Sequence, residues 1–140
     1  MIFLDTNIIS YYFNADNTVK KKLLEAIENE EEICTTVINI YEIIKGFRWR
    51  NNKKKESQFK EFLEDVAVFT IDDKVVNIAS DLYAALRKKG KTIGDADIFI
   101  AAIVLKNNGT LISNNTKHYE DIEQLNLMNW LISETLPRKS

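Results

Sequence analysis

Short apolar runs alternate along the chain with segments in which apolar residues recur every three or four positions. Ile2-Phe3-Leu4 is the first run, and Asp5-Thr6-Asn7 stops it, as expected for a buried strand that ends in a turn or helix cap. Ile33-Cys34-Thr35-Thr36, the β-rich run from Val66 to Ile71, Thr110-Leu111-Ile112-Ser113 and Leu127-Met128-Asn129-Trp130 read as further strands. Between them the periodicity predicts helices over 7–14, over 18–31 with Leu23, Leu24 and Ile27 on one stripe, and over 37–49 with Ile40, Ile43, Ile44 and Phe47 on another. Further helices are predicted over 53–65, carrying Phe59, Phe62 and Leu63, and over 73–89, where Val75, Ala79, Leu82 and Leu86 repeat at helical spacing. The segment 95–107 is apolar almost all round, so it is expected to be a helix buried on several sides, ended by Asn108-Gly109. Short strands alternating with helices predict an α/β fold with a short, mostly parallel central sheet of about 4–5 strands flanked by helices.

Composition narrows the picture. A chain of 140 residues has room for one domain, expected over 1–132, with a polar tail over 133–140. The 19 Lys and Arg against 21 Asp and Glu exclude a nucleic-acid binder driven mainly by net positive charge. Cys34 is the only cysteine and His118 the only histidine, so a metal site would have to use oxygen ligands, which points to Mg²⁺ or Mn²⁺. No apolar run has a membrane span's length, and Met1 to Asp5 has neither the basic flank nor the cleavage site of a signal peptide, so a cytoplasmic location is the expectation.

In an open parallel sheet, ligands bind beyond the carboxyl ends of the strands. Asp5, the segment from Thr36, Asp72-Asp73 and Ser113-Asn114-Asn115 all follow predicted strands, and Asp95 and Asp97 open the apolar helix. Asp5 reads equally as a helix cap or as a ligand. Asp97 suits the helix dipole, but it shares a face with Ile100, Ala101 and Val104, and a carboxylate turned inward needs a cation or donors. Asp95 fits a capping box with Thr92. Glu42 lies opposite the apolar stripe of its helix and reads as solvated surface. His118 could act as a general base, although a lone His in a polar loop reads more readily as a surface residue, and Cys34 reads as a small core residue. The basic run Lys45, Arg48, Arg50, Lys53, Lys54 and Lys55, with Phe47 and Trp49 interleaved, suits RNA phosphates and bases as well as it suits a solvated helix end.

Four segments together resemble the PIN-domain ribonucleases, and within them the small VapC-type toxins of prokaryotic toxin–antitoxin pairs. Ile2-Phe3-Leu4-Asp5-Thr6-Asn7 is similar to the family's opening strand and its D-T-N. Ile38-Asn39-Ile40-Tyr41-Glu42-Ile43-Ile44-Lys45-Gly46 resembles the helix that carries the family's Glu, and Asp95-Ala96-Asp97-Ile98-Phe99-Ile100-Ala101-Ala102 its D-x-x-I-A-A helix. Leu111-Ile112-Ser113-Asn114-Asn115-Thr116-Lys117-His118-Tyr119 resembles its T-x-N/D-x-x-x-F segment, and Leu127-Met128-Asn129-Trp130 its closing strand.

The resemblance implies a PIN-like three-layer fold and an Mg²⁺-dependent endoribonuclease, with Mn²⁺ as an alternative ion, that hydrolyses RNA through metal-activated water. It assigns Asp5, Glu42 and Asp97 as metal-binding and catalytic carboxylates, Asp95 as an additional acid, and Thr6, Asn7, Ser113 and Asn115 as supporting residues. Asn115 stands where many members have an acid, so the second metal site is the weaker part of the match. Lys45, Arg48, Arg50 and Lys53 become candidates for RNA contact. The implied partners are a VapB-type antitoxin and a second copy of the chain, seated partly on an apolar patch left by those of Tyr11, Tyr12, Phe13, Phe47 and Trp49 that stay outside the core. The competing readings are a PIN-fold nuclease in RNA maturation or DNA cleavage, a PIN fold without catalysis, and a receiver-like signalling module.

Overall fold

The computed structural model of the chain describes residues 1–132, so the expected tail over 133–140 lies outside the described residues. In chain order the elements are β1 (Ile2–Leu4), α1 (Thr6–Phe13), α2 (Asn17–Glu28), β2 (Ile33–Thr36), α3 (Val37–Trp49), α4 (Lys53–Leu63), β3 (Ala67–Phe69), α5 (Asp73–Lys88), α6 (Asp95–Lys106), β4 (Thr110–Ile112), α7 (Thr116–Tyr119) and β5 (Asn126–Met128). The strands form one sheet in the order β3-β2-β1-β4-β5, and every pairing is parallel.

Alternation along these short strands builds three layers. Phe3, Cys34 and Leu111 face one side, where they meet α5, α6 and Tyr119 of α7. Ile2, Leu4, Ile33 and Ile112 face the other and meet residues of α1 to α4. Residues 100–104 of α6 are all buried, as its all-round apolar character requires. Gly109 closes the α6–β4 turn against Phe3; a Cβ there would stand 2.6 Å from the ring, so only glycine fits.

The strand order decides between two of the sequence readings. From β1 the chain moves outward to β2 and β3, then crosses back to β4 and moves outward on the other side. The reversal between β1 and β4 opens a crevice at their carboxyl ends, where open parallel sheets bind ligands. A receiver-like module has the order 2-1-3-4-5, so this sheet is not one.

Several expectations are corrected at the local level. In α2 the buried face is Val19, Leu23 and Ala26, while Leu24 and Ile27 are exposed, because the helix starts at Asn17 and turns its alanine inward. The run from Val66 to Ile71 forms only the edge strand β3, with Val68 exposed. The expected capping box at Thr92 and Asp95 does not form: Gly94 is the N-cap of α6, and no side chain caps it. The polar segment after β4 contains α7.

Candidate active site

The crevice holds a cavity of about 660 Å³ lined by Asp5, Thr6, Asn7, Ser10, Tyr11, Asn14, Glu42, Gly94, Ala96, Asp97, Asn115 and His118. The ends of β1 and β4 and helices α1, α3, α6 and α7 meet there. Asp5 ends β1 and caps α1, accepting a hydrogen bond from the Thr6 amide, so the capping and site readings of this residue hold together. Glu42 comes from the middle of α3, Asp97 from the first turn of α6, and Ser113 and Asn115 follow β4.

Asp5 is the centre of the network and is buried. Its Oδ1 accepts from the Thr6 amide at 3.0 Å and from Asn39 Nδ2 at 2.9 Å. Its Oδ2 accepts from Ser113 Oγ at 2.7 Å and lies 3.4 Å from the Tyr119 hydroxyl. That hydroxyl donates at 3.1 Å to Asp97 Oδ1, so one phenol stands between two carboxylates. Burial raises the Asp5 carboxyl above the usual carboxylate range; the Asp97 charge adds to the rise, and the donors oppose it. Burial and the two carboxylates push the Tyr119 phenol far above its ordinary value, which keeps it protonated and a donor.

Glu42 joins the network through Thr6, whose Oγ1 donates to Glu42 Oε1 at 2.8 Å. The same hydroxyl accepts from Asn39 Nδ2 at 3.0 Å. Asn39 is held in turn by the N-cap of its own helix: Thr36 Oγ1 donates to Asn39 Oδ1 at 2.7 Å. A buried chain of hydrogen bonds therefore runs from the end of β2 through Asn39 to Asp5, Thr6 and Glu42. The expectation from periodicity that Glu42 is solvated surface is corrected: it is half-buried in the cavity wall. The overlooked signal is that Asn39 and Glu42, at i and i+3, form a polar stripe beside the apolar one, and that a buried Asn needs partners.

His118, read from sequence as a surface residue, has its Nδ1 3.2 Å from Asp97 Oδ2 and lines the cavity. Asn7 Oδ1 accepts from the Asn114 amide, and the Asn115 amide donates to Ser113 Oγ, which ties the loop after β4 to the start of α1. Asp95 is exposed and absent from the cavity wall, because at the first position of α6 it points away from the crevice that Asp97 faces two residues later. Tyr119 and Asn39 are functional candidates that the sequence reading missed.

The basic run sits elsewhere. None of Lys45, Arg48, Arg50 and Lys53 lines the carboxylate cavity. Arg48 and Lys53 border a separate concavity with Phe47, Asn52, Glu56 and Lys60. Arg48 makes a two-point bond to Glu56, Arg50 stacks over Phe47, and Lys45 stacks over Tyr41. Of the aromatics expected to leave a surface patch, Tyr12, Phe13 and Phe47 pack with Phe59 and Phe62; Tyr11 lines the cavity and Trp49 is 88% exposed.

Among the described residues, no three His, Cys, Asp or Glu side chains close into a ready metal cage. Asp5, Glu42 and Asp97 share one cavity without converging on one point. All of these donors are hard oxygens, and the Asp97 charge penalises ionised Asp5, so a cation would relieve the cavity. Such a set fits an ion that keeps several of its own waters and takes only one or two carboxylates, as Mg²⁺ does.

Comparison with known proteins agrees with this geometry. The PIN domain family profile matches residues 2–123. Ribonuclease VapC1 of Methanocaldococcus jannaschii is 30% identical over 126 residues, which cover 90% of this chain and 84% of that protein. Ribonuclease VapC2 of Rickettsia felis is 31% identical over 129 residues, covering 91% and 96%. Among solved structures, VapBC2 from Rickettsia felis bound to a promoter DNA fragment contains a chain that superposes with a TM-score of 0.81 at 31% identity, over 93% of this chain and 99% of that one. A chain of VapBC-1 from nontypeable Haemophilus influenzae also gives a TM-score of 0.81, at 26% identity over 94% and 100%. PIN-domain nucleases of the VapC type generally depend on a divalent metal ion. With its sheet order, its crevice carboxylates and these relatives in agreement, the chain belongs to the PIN-domain family, in the VapC-type branch.

Proposed function

We propose that the chain is an endoribonuclease that works with Mg²⁺, with Mn²⁺ able to replace it, and that it is the toxin of a pair with a VapB-type antitoxin. The observation that carries this is the gathering of Asp5, Glu42 and Asp97, from β1, α3 and α6, around one cavity at the reversal point of the sheet. The ribonuclease names of the relatives and the VapBC assemblies of the structural neighbours support the activity and the partner.

A bound divalent ion would supply Lewis-acid polarisation of a phosphodiester and a lowered pKa for a bound water. The chain's own residues do the rest. Asp5 and Asp97 hold the ion, and Glu42 faces the same space to accept a proton or orient water. Thr6 and Asn39 fix Glu42 and Asp5 relative to each other, and Ser113 fixes the second Asp5 oxygen. Asn115 replaces an acid with a neutral amide, so one ion is favoured over two. His118 at the rim can donate toward Asp97 or toward a leaving oxygen.

The RNA backbone approaches over a surface that includes Lys45, Arg48, Arg50 and Lys53, and the working form is a homodimer in the cytoplasm. No helix among the described residues is long and apolar enough to cross a membrane. The test is cleavage of RNA by the purified chain with Mg²⁺, with a chelator, and with Asp97→Asn. Cleavage that needs the ion and the carboxylate supports the reading, and cleavage that survives either loss overturns it.

A further inference from the structure

The carboxylates account for only part of the cavity wall. A long stretch of it is one face of α1 and its C-cap, where Asn7, Ser10, Tyr11 and Asn14 recur at i, i+3, i+4 and i+7. The opposite face of the helix, with Ile8, Ile9, Tyr12 and Phe13, packs into the core. The cavity of about 660 Å³ is also larger than an ion needs. Mg²⁺ with six waters fills roughly 200 Å³, at ~30 Å³ per water, and what is left lies within the range of small-molecule pockets, ~300 Å³ and above. The α1 wall has no charged residue to set against a phosphate. It has hydrogen-bond donors and a ring. Lys55 Nζ, which can only donate, lies 3.2 Å from Asn14 Oδ1, so the amide is fixed with its NH₂ turned from the lysine and left over as a donor. Asn7 Oδ1 likewise accepts from the Asn114 amide at 3.0 Å, which leaves its NH₂ over as well. Tyr12 and Phe13 pack against Phe59 and Phe62, whereas the Tyr11 ring is 36% exposed and stacks on no other ring among the described residues.

We propose that this face of α1 is a nucleobase subsite: the Tyr11 ring stacks on the base of a nucleotide flanking the cleaved linkage, and the Asn14 NH₂ donates to the exocyclic oxygen of that base. The inference rests on the cavity being a ribonuclease site, and it names what that site selects. Unpaired RNA is read in this way, by stacking on aromatic side chains and by hydrogen bonds to base edges. Helical rise places Asn14 about 10 Å along α1 from Asn7, which lies two residues after Asp5. The base subsite is thus set apart from the carboxylates along the same wall. A donor at Asn14 selects a keto base. Guanine and uracil carry an acceptor oxygen at the exocyclic position, whereas adenine and cytosine carry a donor NH₂ there.

Asn14→Asp tests the assignment by its sign, because it keeps the shape and the Lys55 contact and replaces the NH₂ with an acceptor oxygen. The probe is a random-sequence pool of single-stranded RNA cut with Mg²⁺ present, with the fragment ends sequenced. Guanine and uracil should be favoured over adenine and cytosine by about fivefold at one position flanking the cut, and Asn14→Asp should reverse that preference. Tyr11→Ala should raise KM by about 5-fold to 100-fold with kcat little changed, and Tyr11→Phe should restore it, since the ring and not the hydroxyl stacks. Fluorescence anisotropy of labelled oligouridylate and oligoadenylate on the Asp97→Asn chain, with and without Asn14→Asp, measures the same ratio by binding alone. A missing preference, a preference that Asn14→Asp leaves in place, or an unchanged KM in Tyr11→Ala overturns the subsite. Failure of the unaltered chain to cut any RNA overturns the ribonuclease reading beneath it, and the anisotropy ratio then still decides whether α1 reads bases.

Discussion

The carboxylate cavity and the basic end of α3 carry opposite charge and are built in opposite ways. In the cavity the acids are over-determined: Asp5 accepts from four donors drawn from α1, α3, α7 and the loop after β4. At the basic end, Arg48, Glu56 and Lys60 satisfy one another across an exposed helix junction, Lys53 and Lys54 are exposed, and Lys55 reaches the Phe13 carbonyl and the Asn14 side chain. A buried polar network has few alternative arrangements, and losing one partner leaves another unsatisfied at a cost. A surface ion pair can exchange its partner for water at almost none. The cavity is therefore a place where geometry is specified, and the basic end one where only charge is.

Replacing a carboxylate gives the largest expected contrast. Asp97→Asn and Asp5→Asn should each reduce Mg²⁺-supported RNA cleavage by about 100-fold or more, beyond the range usual for residues that merely support ligands. Both should keep a cooperative melt. At Asp5 the amide oxygen can remain toward Thr6 and Asn39 while the NH₂ faces two hydroxyls, Ser113 and Tyr119, that can accept. Cleavage within a few-fold of the unaltered rate would remove that carboxylate from the metal site.

Next in size is Asn39→Ala. It strips one donor from Asp5 and one from Thr6, and it leaves the Thr36 hydroxyl without its acceptor, all in a buried place. The expected cost is ~1–3 kcal/mol in stability and about 10-fold to 100-fold in cleavage. Denaturant unfolding and initial rates check both. A stability loss with an unchanged rate would mean that Asn39 holds the helix but not the site.

How much of this was legible follows the same division. The sheet and most helices were readable because apolar periodicity is a local property: β1, β2, β4, α3, α5 and α6 lie where the pattern places them. Asp97 was suspected because its neighbours Ile100, Ala101 and Val104 had to be buried, and they are. Glu42 was misread by periodicity, because its environment is set by Thr6, thirty-six residues away and brought near only by β1 pairing with β2. Only the resemblance pointed to it. Asn39 and Tyr119 were missed for a related reason. Their roles come from contacts across the sheet end, and in sequence one looks like a polar residue near a helix cap and the other like a core aromatic. Asp95 shows the converse, since a matching motif position does not bring a side chain into the cavity.

Charge reversal of Arg48 and Arg50 tests the basic end. Steering by exposed cations is screened over about a Debye length, so a several-fold fall in cleavage is expected at low salt and little change at high salt. The fall is smaller than in the cavity, because Arg48 is already paired with Glu56. An unaltered rate at low salt would leave the run as a solvated helix end.

The smallest effect is in pH dependence, and there the two regions should differ in sign. Hydrogen bonds from Arg48 and then Lys60 hold the Glu56 carboxyl down at about 2, below its ordinary value of 4.5. Its contribution to stability is therefore full above the ordinary value and disappears as pH falls toward about 2. Asp5 is raised by burial, so at neutral pH its charge opposes folding, and protonation relieves the opposition as pH falls through the raised value. Glu56→Gln should accordingly melt slightly below the unaltered chain at neutral pH, with the gap closing only in strong acid. Asp5→Asn, without added metal, should melt above it at neutral pH, with that gap closing in milder acid. Thermal melts of the three proteins across acid to neutral pH measure both gaps. If the Asp5→Asn gap had the same sign as the Glu56→Gln gap, the four donors on Asp5 would outweigh its burial, and the cavity would hold its charge as comfortably as the surface does.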